Sequence, residues 1–190
     1  MLKLKLIAGI MLMFTTATTV RGQNEWQRKV KDELPLMGHR NWIVIVDSAY
    51  PLQSGAGVET IETGQDQLHV LDYVLDSVKN SPHVRPIVHT DAELQYVPES
   101  EAPGVERYRQ EVKTRFAGLP SDSLLHQTLI DRLNELGKSF HVLILKTNMT
   151  IPYTSVFLQL DRRYWSAESE ARLRTTMKST TRHPSDKSAH

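Results

Sequence analysis

The chain has 190 residues, with 23 Lys and Arg against 22 Asp and Glu, so its formal net charge is +1. That balance carries no electrostatic footprint for nucleic acid or a membrane surface, and 39% apolar with 24% charged residues marks globular rather than disordered composition. Cys is absent, which excludes disulfides, thiolate metal sites and Cys nucleophiles.

Residues 1–22 begin with Lys3 and Lys5, continue through an apolar run at 6–14 and end in Val20-Arg21-Gly22. This is the pattern of a secretory signal peptide, too short in its apolar run to span a bilayer. A periplasmic or secreted protein with a mature start near Gln23 is expected. Residues 24–34 then place Trp26, Val30 and Leu34 on one helical face, with Asn24 as candidate N-cap and Pro35 and Gly38 as the stop. Residues 42–46 (WIVIV) are an unbroken β-branched and aromatic run, the signature of a strand covered on both faces, and it ends on Asp47. The stretch 48–64, with Pro51, Gly55 and Gly57, reads as a long loop. Leu68, Leu71, Val74, Leu75 and Val78 mark the apolar face of a helix, and Pro82 and Pro86 bracket a turn into a short strand at 87–89.

A loop at 97–104 precedes a helix at 105–116. Ser121 or Asp122 is expected to cap a helix carrying Leu124, Leu125, Leu129, Leu133 and Leu136, which stops at Gly137. Residues 140–145 and 153–160 read as two further strands. The alternation predicts an α/β domain over 23–165 with a mainly parallel sheet. Residues 166–190, poor in large apolar side chains after Leu173, read as a mobile polar tail.

Ligands of α/β sheets sit beyond the carboxyl ends of the strands, which is where Asp47 falls. His39 precedes the same strand, so it reaches Asp47 only by folding back or by meeting a neighbouring copy. The bland alternative makes Asp47 a turn cap and His39 a surface residue. None of the eight His residues has metal-binding spacing: His83 and His89 flank a strand, while His69, His126 and His141 are scattered. No metal site is expected. Gly55-Ala56-Gly57 lacks the helix start and Lys of a phosphate loop, and no Gly-x-Ser-x-Gly elbow occurs. Asn148-Met149-Thr150 is a glycosylation sequon by pattern.

Met37-Gly38-His39, the apolar strand, Asp47 and Pro51 together resemble the opening of the RbsD/FucU family of D-ribose pyranases and L-fucose mutarotases. Further segments resemble the family in the same order: the helix from His69 to Val78, Pro86-Ile87-Val88, Glu106-Arg107-Tyr108-Arg109 and the closing Pro152-Tyr153-Thr154-Ser155 strand. The resemblance implies a three-layer α/β sandwich with a mainly parallel or mixed sheet. It also implies an isomerase of sugar anomers or ring forms that needs no cofactor, metal or nucleotide, in a ring-shaped homo-oligomer with sites at subunit contacts. By it, His39 is the acid–base group, Asp47 orients or charge-stabilises it, and Tyr153 bonds the sugar. His69, His126 and Ser155 are further sugar contacts. Ser155 stands where the family has Asn, losing an amide that both donates and accepts. That departure leaves open a second reading, an exported monosaccharide-binding module without turnover.

Overall fold

Five consecutive β-branched and aromatic side chains make β1 (Trp42–Val46), and all five are buried. The computed structural model describes residues 16–181, with side chains over 25–178. Around β1 it places β2 (Val58–Glu62), β3 (Val84–Asp91), β4 (Ser121–Leu124), β5 (Val142–Lys146) and β6 (Val156–Arg162) in one sheet of order β2-β5-β1-β6-β3-β4. Strands β1, β2 and β5 run parallel, as do β3 and β4, while β6 is antiparallel to both its neighbours. The sheet is therefore mixed.

Alternation along the strands sorts two cores. Ile43, Ile45, Val88, Val156 and Leu158 face α1 (Thr16–Glu33), α2 (Gln67–Asn80) and α3 (Val105–Arg115). Trp42, Val44, Val46 and Phe157 face α4 (His126–Leu136) through Leu129 and Leu133. Helices on both faces of one sheet give the expected three-layer α/β sandwich. Where the chain enters β2, Gly57 donates to the Gly137 carbonyl, and a Cβ there would lie 2.5 Å from the Phe140 carbonyl oxygen. Only glycine allows that approach.

Several expectations are corrected. Helix α1 begins at Thr16, so Asn24 is inside it rather than at its cap. The signal peptide expected at 1–22 lies largely on residues 1–15, outside the described residues. The loop at 48–64 contains β2, an edge strand whose residues are only half buried and so lack a continuous apolar run. Strand β3 extends from 84 to 91, beyond the short 87–89. Ser121 and Asp122 lie in β4 rather than at a helix cap, because cross-strand polar pairs hold them: Thr90 with Ser123, and the buried His89 with Asp122. His89 is further fixed by stacking on Trp42, ring centroids 5.2 Å apart. The tail expectation changes most. Residues 167–181 form helix α5, with Ser166 Oγ accepting from the Ser169 N–H at its start, Glu168 and Glu170 in its first turn, and a Glu170–Arg174 ion pair. Residues 182–190 lie outside the described residues. Among the described residues no helix is long and apolar enough to cross a membrane.

Candidate active site

The carboxyl ends of β1 and β3 and the first turn of α4 meet at one edge of the sheet. There Asp47, Tyr50, Pro51, His126, Ile151 and Tyr153 line a cavity of about 430 Å³. Asp47 accepts from the Ala49 N–H at 2.8 Å, which turns the chain out of β1. Tyr50 is buried beneath; burial, with the negative charges of Asp91 and Asp47, pushes its phenol well above the usual tyrosine range, so it stays protonated.

His126 is held at both ends by carboxylates. Its backbone N–H donates to both oxygens of Glu93 at 3.1 and 3.0 Å, which caps α4 from outside because Leu125 at the N-cap offers no acceptor. Its ring Nδ1 lies 3.0 Å from Asp91 Oδ1. Asp91 is 1% exposed, and its Oδ2 is buried without a hydrogen-bond partner. Burial pushes the Asp91 carboxyl up to about 6, with Glu93 and Asp47 adding to the rise and His126 opposing it.

Tyr153 meets His126 edge to face, ring centroids 5.8 Å apart at 81°. Its backbone has φ 58, the left-handed region that non-glycine residues avoid. The next peptide clamps that strain: the Thr154 carbonyl accepts from Gln67 Nε2 of α2 at 2.5 Å and from the Tyr108 hydroxyl of α3 at 2.8 Å. Two helices thus fix the residue that presents a phenol to the cleft. It also explains why β6 begins at Val156 rather than at Tyr153.

The structure brings Asp47, Tyr153 and His126 together, whereas Ser155 does not line the cavity and is buried with its Oγ unpartnered. Continuing the β3–β6 register by one residue puts Ser155 opposite Asp91. His69 is exposed and lies edge-on to Trp26 of α1 rather than in the cavity. His39 is exposed in the turn before β1, so the full strand, about 17 Å at about 3.3 Å per residue, separates it from Asp47 within one subunit. Asp91, Glu93 and Tyr50 were not anticipated. Asp91 ends a strand as Asp47 does, so the same carboxyl-end argument finds it once β3 is given its full length. Away from the cleft, Glu33, Glu59 and His141 bring ligand-type atoms within 4.8 Å of one another. The Lys29 ammonium already sits 2.7 and 2.8 Å from the two carboxylates, supplying their counter-charge.

Bacillus subtilis RbsD complexed with D-ribose matches this structure with a TM-score of 0.52 and 16% identity, over 70% of this chain and 91% of that one. The chain has an RbsD-like fold. FucU from Bifidobacterium longum matches at TM-score 0.49 and 16% identity, over 70% and 94% of the two chains. The fucose mutarotase of Streptococcus pneumoniae in complex with L-fucose matches at 0.47 and 21%, over 69% and 89%. No family model and no curated protein matches the sequence. The RbsD-like architecture bears out the resemblance first carried by Gly38-His39, β1, Asp47 and Pro51 at the level of the fold.

Proposed function

We propose that this chain is an isomerase that interconverts anomers or ring forms of a monosaccharide by proton transfer. The observation that carries the proposal is the convergence of Asp47, His126 and Tyr153 on one cavity at the carboxyl edge of the sheet, with His126 paired to a buried carboxylate. Opening a cyclic hemiacetal needs a base for the anomeric hydroxyl proton and an acid for the ring oxygen as the C–O bond breaks; closure on the other face reverses both transfers. His126 is the base in this reading, Tyr153 donates to the sugar and Asp47 accepts from one of its hydroxyls. Positioned acid–base groups contribute roughly 10²–10⁴-fold, which suffices for a reaction that proceeds unaided in water. The acid is assigned to His39 of a neighbouring copy in a homo-oligomer, since within a subunit it stands at the other end of β1.

Saturation-transfer NMR on ribose, fucose and galactose tests the proposal. Enhanced anomer exchange that falls in His126→Gln supports it, and no enhancement on any of a broad aldose panel overturns it. The unpartnered, buried Ser155 Oγ favours one second reading, a monosaccharide-binding module without turnover. Calorimetric binding of a sugar without exchange would select that reading.

A further inference from the structure

We propose that Asp91 is the positioning residue of this cleft, holding His126 in the tautomer that carries its proton on Nδ1 and presents a bare Nε2 to the cavity. The inference rests on the proton-transfer reading above for its consequence, although the tautomer itself follows from geometry alone. An ionised carboxylate only accepts hydrogen bonds, so a ring nitrogen 3.0 Å from Asp91 Oδ1 must be the one that donates. The imidazole then has its lone pair on Nε2, which makes no hydrogen bond among the described residues. The ring lines the cavity, its backbone is pinned by Glu93, and its face meets Tyr153 edge-on. It is therefore constrained in position by one carboxylate and in protonation by another, two residues apart on the chain.

Packing alone does not account for Asp91. A carboxylate that is 1% exposed and has one oxygen unpartnered is costly, and a structural role would saturate both oxygens or use an apolar side chain. Its single described side-chain partner is His126. Buried ionisable groups beside a cleft and aimed at one chemically capable neighbour are the pattern of a tuned site.

Asp91→Asn makes the inference testable because the amide is nearly isosteric and its orientation is determined by the surroundings. With its oxygen toward His126, the amide would bury its NH₂ where Oδ2 now has no partner; orphaned N–H groups are rarer than orphaned acceptors. With its NH₂ toward His126, it donates to Nδ1 and drives the proton to Nε2. The expected result, from imidazole ¹⁵N–¹H correlation spectra near pH 8, is an Nδ1–H signature for His126 in the parent protein and an Nε2–H signature in Asp91→Asn. Anomer-exchange turnover is expected to fall by at least about 10²-fold with sugar affinity unchanged.

An Nε2–H tautomer in the parent protein overturns the inference without any variant. Retention of Nδ1–H in Asp91→Asn overturns it whatever the activity, and so does a tautomer switch that leaves exchange intact. Asp91→Ala, which removes the acceptor altogether, takes the place of the amide if that variant does not fold, and loss of the Nδ1–H signature is then the expected result. Should the parent protein lack exchange on every sugar, the isomerase reading fails, and the two tautomer measurements still decide the role of Asp91.

Discussion

Asp91→Asn is expected to make the chain more resistant to unfolding at neutral and alkaline pH, even though it removes a charged hydrogen bond. The Asp91 carboxyl titrates at about 6 in the folded chain against 3.8 when unconstrained, chiefly because burial disfavours its charge. Between those values the folded chain holds a proton that the unfolded chain has released. Stability therefore falls as pH rises through the window and is level above it; below the window there is no penalty. A difference of about two pH units is worth roughly 3 kcal/mol, of which about 2 kcal/mol develops between about pH 4 and about pH 8. An amide does not titrate, so the variant lacks this component. Urea midpoints of both proteins at both pH values give a difference of differences from which titrating groups distant from Asp91 cancel, leaving Asp91 together with its pairing to His126. The parent protein should lose about 2 kcal/mol more than the variant on going from the lower pH to the higher. Equal losses would refute the claim that Asp91 is a desolvated acid, and a larger loss in the variant would show that the pull of His126 outweighs burial.

Gly57→Ala places a Cβ 2.5 Å from the Phe140 carbonyl oxygen and 2.7 Å from that of Gly137, both backbone atoms that do not swing away. It should cost about 1–3 kcal/mol by denaturant midpoint, whereas Gly38→Ala, with nothing within 4 Å, should be near neutral. Tyr108→Phe removes a buried 2.8 Å bond to the Thr154 carbonyl but leaves the one from Gln67. A loss of about 1 kcal/mol is expected, together with weaker sugar binding as the clamp behind Tyr153 loosens; unchanged affinity would disconnect that clamp from the site. Finally, His39→Ala and His126→Ala chains should each be inactive alone, yet recover about a quarter of parental exchange when co-refolded in equal amounts. A random mixture of a ring places one intact pair at about one contact in four. No recovery would mean that the two imidazoles do not serve a shared site.

Legibility in the sequence followed burial. Strand β1 is read residue for residue because Trp42–Val46 is covered on both faces, and α2 and α3 are read almost to their ends because each has an apolar stripe. The edge strands β2 and β4 are half exposed and polar, and their identity depends on partners far along the chain: Val142–Lys146 for one, Val88–Asp91 for the other. No local periodicity announces such a strand. Helix α5 escapes for a related reason, since Glu170 ties it to Arg174 within the helix and to Trp165 and Arg162 before it, in place of an apolar face.

The site divides along the same line. Asp47 is legible because position at a strand end is a property of the local sequence, Tyr153 enters only through the family resemblance, and the rank of the histidines is not legible. His39 and His126 are each one imidazole in a loop or helix start, and only tertiary placement distinguishes them: His126 stands against Asp91, Glu93 and Tyr153, and His39 stands in a solvent-exposed turn. In the proposed isomerase the chemistry within one subunit therefore passes to His126. The turn at His39 is nonetheless carefully made: Gly38 donates to Asn41 Oδ1 at 2.7 Å, and Arg40 holds φ 81 with its guanidinium over the Phe140 ring. A non-glycine residue in that conformation is strained, and strain of this kind persists only where neighbouring contacts impose it. The two left-handed non-glycine residues of the described chain, Arg40 and Tyr153, thus lie one beside His39 and one in the cleft. In a closed assembly, heterologous contact brings different patches of successive copies together, which is the arrangement in which both strained turns would border the same sugar.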